Sequence, residues 1–301
     1  MKELINKLIA AGIDKQEAKK EISILYKELG GNNLSEINKI VLERIKTRTP
    51  IQYLLGKAYF MDFEVKVNKK VLIPRPETEI LVEETVKKIN NCHSQLDWES
   101  RQLINKSKNW IPTSVGMTLT ALDIGTGSGI IAIALAKLIP SIKITAIDVE
   151  KEIIDLAQEN AAKNNVSEKI NFKVCDLFSK HTEELFKKNK FNLIISNPPY
   201  VKNETANQQD DKTIRQPEIE HEPKIALHGS KENKSGLIYY ERIIELIIGR
   251  GLSRQAPVML AFEVDPPLVH DLKSLLKKEG LNNFEIIKDY AGLERCLFIS
   301  L

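Results

Sequence analysis

The sequence predicts an α/β protein in which a mostly parallel sheet follows a small helical region at the amino terminus. Two patterns support this fold class. Apolar residues recur at helical spacing through the first fifty residues, as in Leu34, Ile37, Val41 and Ile45. From residue 119 onward, short apolar strands alternate with helical stretches, the order that builds a parallel sheet covered on both faces.

The predicted sheet has seven strands, and helices separate most of them. The predicted strands are 119–124, 142–147, 170–175, 191–195, 258–264, 284–289 and 295–300. The predicted helices lie near 129–138, 150–164, 237–248 and 267–279. Residues 290–294 join the last two strands, and this connection is too short for a parallel crossover. We therefore expect an antiparallel hairpin at the end of the sheet.

Three helices and a hairpin are predicted ahead of the sheet. Asp14 and Asn33 lie where the N-caps of the second and third helices would be, each three residues before a glutamate. The alternation of apolar and polar residues over 63–67 indicates a short hairpin. A proline-containing connector, 73–76, follows the hairpin, and a helix resumes near Thr78.

The chain divides into two predicted domains, 1–75 and 76–301. Residues 91–118 fit neither pattern, because they are rich in asparagine and serine and lack sustained periodicity. A connection of this length without its own structure is uncommon inside a compact domain. We therefore expect 91–118 to be an insertion, with a partner-binding arm as the alternative.

The composition favours a cytoplasmic protein. The net charge is +3, from 44 basic and 41 acidic residues. The chain therefore lacks the strong positive charge typical of nucleic-acid-binding proteins, and we do not expect it to bind nucleic acid directly. The three cysteines are far apart and lack metal-ligand spacing, which favours free thiols in a reducing compartment and no metal. We find no signal peptide, and no apolar run approaches the roughly 18 residues of a membrane span.

A glycine-rich turn follows the first strand of the sheet. Three glycines alternate with other residues behind an aspartate, so the backbone can approach a nucleotide-like ligand closely. A dinucleotide-binding fingerprint would place its third glycine at position 130, which is isoleucine. The pattern instead resembles the cofactor loop of S-adenosylmethionine-dependent methyltransferases. This resemblance implies cofactor contacts at Asp123, Gly125, Thr126, Gly127, Ser128 and Gly129.

Two further strand ends carry acidic residues. Asp148 ends the second strand, where its carboxylate can accept hydrogen bonds from both hydroxyls of a ribose, although it can also cap a helix. Asp176 and Leu177 follow the third strand, where an acid and an apolar side chain can flank an adenine ring. Capping or packing is the alternative role for this pair. We expect all three residues to bind the cofactor.

The fourth strand ends in Asn197-Pro198-Pro199-Tyr200. Prolines cannot donate to a strand ladder and their rings fix φ, so the strand stops here in a stiff segment. The tetrapeptide resembles the motif of amino-methyltransferases, which methylate planar amide or exocyclic amine nitrogens. The resemblance implies that the Asn197 side-chain oxygen and the Pro198 carbonyl accept both N–H groups of the substrate, and that Tyr200 packs against it. We expect all four residues to be catalytic and substrate-binding, with Asn197 also contacting the cofactor.

Nearly the whole chain outside the insertion resembles the release factor glutamine methyltransferases. The resemblance is carried by the helical region, 49–56, 73–79, the glycine-rich turn, 197–200, 222–223, 226–227, 236–237 and 239–240. It implies a seven-stranded, Rossmann-like class I methyltransferase sheet with a small N-terminal helical domain that docks the substrate. It also implies S-adenosyl-L-methionine as the cofactor, with segment 73–79 lining the cofactor side. The implied reaction, which belongs to translation termination, methylates the glutamine of the Gly-Gly-Gln motif in class I peptide chain release factors.

One position and one segment depart from the family pattern, and two other functions are considered. Leu177 stands where the family allows a tryptophan, which removes aromatic stacking, and 263–267 replaces a glycine-containing turn. The polar linker 201–227 is either a solvated loop or part of the wall that faces a protein substrate. The alternative function is a nucleic-acid (adenine or guanine) amino-methyltransferase, although no recognition region with basic and aromatic contacts is evident. A third possibility is a degenerate methyltransferase fold that only binds.

Overall fold

A computed structural model describes residues 1–94, 118–202, 217–230, 232–249 and 258–301 of the chain. Within these ranges the helices are α1 (Lys2–Ala10), α2 (Lys15–Leu29), α3 (Leu34–Thr47), α4 (Ile51–Leu55), α5 (Pro76–Ser94), α6 (Ile130–Leu138), α7 (Lys151–Lys163), α8 (Lys180–Lys188), α9 (Lys224–His228), α10 (Ile238–Ile248) and α11 (Val269–Lys278). The strands are β1 (Lys57–Phe60), β2 (Phe63–Lys66), β3 (Leu119–Ile124), β4 (Ile142–Asp148), β5 (Ile170–Val174), β6 (Leu193–Ser196), β7 (Met259–Glu263), β8 (Phe284–Lys288) and β9 (Glu294–Ser300).

Strands β3 to β9 form one sheet in the order β5-β4-β3-β6-β7-β9-β8. The strands from β3 to β7 run parallel, and β9 is antiparallel to both β7 and β8. Every predicted strand begins and ends within two residues of the observed one. The predicted α/β fold, with seven strands, a terminal antiparallel hairpin and helices at the amino terminus, is confirmed.

The order of the strands creates a switch point at the centre of the sheet. The chain builds outward from β3 through β4 to β5, and then returns to place β6 on the other side of β3. Ile124 pairs in register with Ser196, and the Ser196 hydroxyl donates to the Ile124 carbonyl at 2.7 Å. The loops after β3 and β6 therefore leave the sheet side by side. Open α/β sheets bind ligands at such a point.

Apolar residues alternate between two clusters on the two faces of the sheet. Ala121 and Leu193 belong to the cluster that includes the β1–β2 hairpin, α5 and α6. Leu122 and Ile194 belong to the cluster that includes α10 and α11. Because successive side chains of a strand point to opposite faces, each central strand contributes to both clusters. Both faces are thus covered, as the apolar strand sequences predict.

The helices α1 to α3 have a separate core, whose fully buried members include Ile22, Leu25 and Ile37. Arg44, also buried, bonds to Glu21 at 2.9 Å and to Glu218 at 2.9 Å. Glu218 lies in a short 3-10 helix, Pro217–His221, that precedes α9. A buried arginine needs such partners, because taking a charge out of water is costly unless it is paired. The contact ties the helical region to the chain that follows the 197–200 segment.

Some local predictions differ from the structure. Asp14 caps α2 as predicted, accepting from Gln16 N at 2.7 Å, whereas the predicted cap residue Asn33 makes no side-chain capping bond. Helix α8 was not predicted, because its sequence KHTEELFKK has few apolar residues to reveal a periodicity. Only Leu185 and Phe186 are its buried apolar side chains.

Two predicted segments are described only in part. Helix α5 continues to Ser94, inside the predicted insertion 91–118, and residues 95–117 lie outside the described residues. Residues 203–216 of the linker 201–227 also lie outside them. Among the described residues, no helix combines the length and apolar character that a membrane span requires.

Candidate active site

A cavity of about 280 Å³ opens at the carboxyl ends of β3 to β6. Its floor is the glycine loop, residues 125–129, and its sides are the ends of β4, β5 and β6. The connector before α5 and the segment around α9 close it. The residues used below that line it are Arg75, Thr78, Gly125, Thr126, Gly127, Ser128, Asp148, Asp176, Leu177, Phe178, Asn197, Pro198, Pro199 and Tyr239. A concave, mostly apolar site with a few polar groups is the usual form of a small-molecule pocket.

The glycine loop adopts a backbone conformation that its sequence makes possible. Gly125 and Gly127 have φ of 71° and 54°, in the region that residues with a Cβ rarely adopt. A Cβ added at either glycine would meet no protein atom within 4 Å, so their backbone faces open space in the cavity. A ligand can therefore approach the main chain of the loop directly.

Asp148 braces the glycine loop and also lines the cavity. One carboxylate oxygen accepts the Gly127 N–H at 2.9 Å, and the other accepts the Val149 N–H at 2.8 Å. Burial raises the pKa of this carboxyl, and the hydrogen bonds from the backbone oppose that rise. A carboxylate has about four acceptor positions, so these bonds leave room for a ligand donor. Asp148 is thus placed where a ligand with neighbouring hydroxyl groups can reach it.

The end of β5 supplies an apolar wall with one acid. Leu177 is buried against the protein and lines the cavity beside Asp176. The Asp176 carboxylate accepts the Phe178 N–H at 2.9 Å, which fixes the turn. The Phe178 ring meets the Tyr239 ring edge to face, with centroids 5.4 Å apart. This wall suits a flat, uncharged group.

The segment 197–200, here called the shelf, is held from several sides. Asn233, which is fully buried, donates to the carbonyls of Pro199 at 3.2 Å and His228 at 2.9 Å. The Val201 N–H donates to the Leu227 carbonyl at 3.0 Å. Gly236 has φ of 79°, and a Cβ added there would lie 2.6 Å from the Tyr200 carbonyl oxygen. The backbone of the shelf is therefore clamped by residues that follow it in sequence.

A hydrogen-bond chain holds the side chain of Asn197. Its Nδ2 donates to the Thr78 hydroxyl at 3.2 Å, and that hydroxyl donates to Glu263 Oε2 at 2.6 Å. Thr78 and Glu263 are both 1% exposed. Burial raises the pKa of Glu263 to about 7, opposed by the Thr78 hydrogen bond and by Arg295.

Most of the predicted site residues line the cavity, but three do not. Asp123 is fully buried beneath the loop, where it accepts the Thr126 hydroxyl at 2.6 Å, and burial raises its pKa to about 7. Gly129 is the N-cap of α6 and packs against Ala157, which a Cβ would approach to 3.2 Å. Tyr200 packs against the core cluster of α10 and α11. For these three the structure supports a role in holding the loop and the shelf instead of direct contact with a cavity ligand.

Sequence reasoning missed several residues that shape the site. Tyr239 lines the cavity, and Glu263 and Asn233 support the shelf from outside it. Thr78 lies in segment 73–79, which we expected to line the cofactor side, but its hydrogen bond to Asn197 was not predicted. Thr78 and Tyr239 both lie in segments that carry the family resemblance, but no local pattern predicts the Thr78 bond to the shelf or the contact of Tyr239 with Phe178. Glu263 stands in the segment 263–267 that departs from the family pattern, but neither its bond to Thr78 nor that of Asn233 to Pro199 is predictable, because these partners lie 185 and 34 residues away.

Comparison with known proteins places the chain in a family. A family model described as "Methyltransferase small domain" matches residues 89–217. A protein from Thermodesulfovibrio yellowstonii, named release factor glutamine methyltransferase, is 34% identical over 87% of this chain and 80% of its own length. One of the same name from Flavobacterium psychrophilum is 36% identical over 86% and 78%.

A solved structure gives a further likeness. It is described as a protein-(glutamine-N5) methyltransferase (release factor-specific) from Alicyclobacillus acidocaldarius, and it matches with a TM-score of 0.40. Its identity is 21%, and the match covers 76% of this chain and 93% of that one. The identity and coverage of the two relatives confirm the predicted resemblance. The chain belongs to the release factor glutamine methyltransferase family.

Proposed function

We propose that the protein uses S-adenosyl-L-methionine to methylate the side-chain amide nitrogen of the glutamine in the Gly-Gly-Gln motif of class I peptide chain release factors. One observation carries this proposal. The glycine loop and Asn197 line the same cavity, on neighbouring strand ends of one sheet. A donor bound on the loop and an amide bound on the shelf would therefore share one space.

The residues of the cavity fit the proposed cofactor. Gly125 and Gly127 face open space, so a bulky ligand can lie against their backbone. Asp148 offers carboxylate oxygens suited to ribose hydroxyls, and Leu177 offers an apolar surface to a purine. When bound, the cofactor supplies an electrophilic methyl group on a sulfonium sulfur. The contacts at Thr126, Ser128 and Asp176 belong to the same proposal.

The shelf suits the nitrogen of an amide. Such a nitrogen is a poor nucleophile, because its lone pair is delocalised into the carbonyl group. In our proposal the Asn197 side-chain oxygen and the Pro198 carbonyl accept its two N–H groups and orient it. The same acceptors stabilise the positive charge that develops on the nitrogen, and the buried apolar surroundings strengthen that interaction. No strong base is needed, because the positively charged product nitrogen loses its proton readily to water.

The helical region has a proposed role of its own. We assign 1–75 to docking of the release factor and 76–301 to catalysis, in the cytoplasm where translation terminates. Support comes from the separate core of α1 to α3 and from the ion pairs that link Arg44 to Glu218. These contacts hold the helical region against the chain that leaves the shelf, so a protein docked on it would lie near the cavity.

A direct assay tests the proposal. The purified protein is incubated with methyl-labelled S-adenosyl-L-methionine and, in separate reactions, with a class I release factor, tRNA, ribosomal RNA or DNA. We expect label only on the release factor, located by mass spectrometry on the glutamine of Gly-Gly-Gln. A release factor carrying asparagine in place of that glutamine is the matched control and should stay unlabelled. Label on nucleic acid alone would instead establish the amino-methyltransferase alternative, and no label would leave a binding protein.

A further inference from the structure

The side chain of Asn197 has two chemically opposite ends. Its oxygen accepts hydrogen bonds, whereas its NH2 group donates them. The proposed function, on which this inference rests, requires the oxygen to face the NH2 group of the substrate. The shelf sequence does not determine which end faces the cavity, because an amide can turn over about its terminal bond with little change in shape. Some other group must select the orientation.

The hydrogen-bond chain described above makes that selection. A threonine hydroxyl carries one proton, and Thr78 gives it to Glu263 at 2.6 Å. The Thr78 oxygen can then only accept a hydrogen bond from Asn197. It accepts Nδ2, at 3.2 Å, and this leaves Oδ1 as the end available to a ligand. Thr78 and Glu263 are both buried, so water does not compete for the bond between them. Asn197 is half-buried and lines the cavity.

We propose that Thr78 and Glu263 are positioning residues that fix the direction of the Asn197 amide. Glu263 acts only through Thr78. Without an acceptor at position 263, the Thr78 proton is donated to Asn197 Oδ1 and the amide turns over. The Asn197 NH2 group then faces the NH2 group of the substrate, and two donors meet. The orientation is thus set by residues 119 and 66 positions away from Asn197 in sequence.

The ionised form of Glu263 is the form that accepts. Below about pH 7 the carboxyl is protonated and can donate to Thr78, which has the same effect as losing the acceptor. Arg75 just before α5, Glu77 in its first turn and Arg295 on β9 act on the charge of Glu263. Cys296 on β9, Tyr200 on the shelf and Tyr240 on α10 also face it, and its charge adds to the rise in their pKa that burial causes. Methyl transfer should therefore increase as the pH rises through about 7.

Single and double variants separate this role from a general loss of structure. We expect Glu263→Met to lower kcat about 100-fold, because the amide is reversed. Thr78→Val removes the partner, leaves the amide free to adopt both directions, and should lower kcat about 10-fold. Thr78→Ser keeps the hydroxyl, so its kcat should stay close to that of the wild type. The decisive variant is Thr78→Val with Glu263→Met, whose kcat should equal that of Thr78→Val alone, since Glu263 has no other route to Asn197.

A matched control lies on the same helix. Thr85 is fully buried on α5, and its hydroxyl donates to the Leu81 carbonyl at 2.7 Å. Thr85→Val removes a buried hydroxyl without touching Asn197, and its kcat and pH profile should match those of the wild type. If Thr78→Val and Glu263→Met instead multiply their losses in the double variant, the two residues act independently and the proposal is overturned.

A spectroscopic measurement tests the orientation of the Asn197 amide without an activity assay. In protein labelled with 15N at asparagine, the Asn197 side-chain NH2 signal is identified by its loss in Asn197→Ala. Its hydrogen exchange should be slow in the wild type and in Thr78→Ser, and faster in Thr78→Val. In Glu263→Met the signal should shift, because the NH2 group has left Thr78. Identical signals in all four proteins would refute the relay even if release factor were methylated, while absence of methylation with the expected signals would refute only the proposed function.

Discussion

The two loops that meet in the cavity are built on opposite principles. The glycine loop has no side chain at Gly125 and Gly127, so a ligand can contact its backbone there. Its turn depends on the positive φ of these two glycines. The shelf has fixed φ at its prolines and offers a side-chain amide, whose direction depends on Thr78 and Glu263. The glycine loop takes its turn from its own glycines, and Asp148 and Asn160 brace it. The shelf takes its function from residues far away in sequence, so the two sides should fail in different ways when mutated.

The largest expected effect is on the shelf side. Asn197→Ala removes the acceptor for the substrate amide and should lower kcat by about 10²- to 10³-fold. Cofactor affinity should change little, because the glycine loop and Asp148 remain. Single-turnover kinetics and calorimetry measure the two effects, with the exposed Asn282→Ala as a control for loss of an asparagine. Equal loss of cofactor binding and of kcat would show that the two loops do not act separately.

The next largest effect should be on the cofactor side. Asp148→Ala removes the carboxylate that braces the Gly127 and Val149 N–H groups, and it should weaken cofactor binding about 10- to 100-fold. At saturating cofactor, kcat should fall much less. Titration calorimetry checks the affinity. The control is Asp155→Ala, because Asp155 lies on the exposed side of α7, where it pairs with Lys151. Unchanged cofactor affinity in Asp148→Ala would contradict the proposal that Asp148 binds the ribose.

A smaller effect should follow from loosening the shelf backbone. Asn233→Ala leaves the Pro199 and His228 carbonyls without their donor and should lower kcat about 10-fold. It should also lower the free energy of unfolding by about 1 to 3 kcal/mol. Urea unfolding and steady-state kinetics measure both. Asn233→Asp, which is nearly isosteric but places a carboxylate oxygen beside two carbonyls, should be worse than alanine, and a milder result would contradict this account.

The smallest effect should come from a residue inside the motif itself. Tyr200 packs its ring against the core cluster beneath the shelf and does not line the cavity. Tyr200→Phe keeps that ring, so kcat and the free energy of unfolding should stay close to their wild-type values. Tyr200→Ala should destabilise the protein, because the packing is lost. A large loss of kcat in Tyr200→Phe would show that the Tyr200 hydroxyl takes part in catalysis.

The contrast between the loops also explains what the sequence could predict. The strands, the glycine loop and the position of Asn197 follow from local patterns, because periodicity, glycine and proline act over a few residues. Helix α8 was not predicted, because only two of its nine residues, Leu185 and Phe186, are apolar. The direction of Asn197 and the support from Asn233 depend on partners brought together only by the folded sheet. Asp123 and Tyr200 stand in motifs whose neighbours line the cavity, and their own burial is a tertiary property.

Asn160, on α7, has a consequence for how the protein matures on the ribosome. It is fully buried, donates to the carbonyls of Ser128 and Lys66 and accepts the Lys66 N–H, so one amide fastens the glycine loop to the β1–β2 hairpin. Lys66 is synthesised 94 residues before Asn160. The hairpin therefore lacks this fastener while β3, β4 and the first part of α7 are translated. Until α7 has left the exit tunnel, the Ser128 carbonyl of the glycine loop and the backbone of Lys66 lack the amide that joins them.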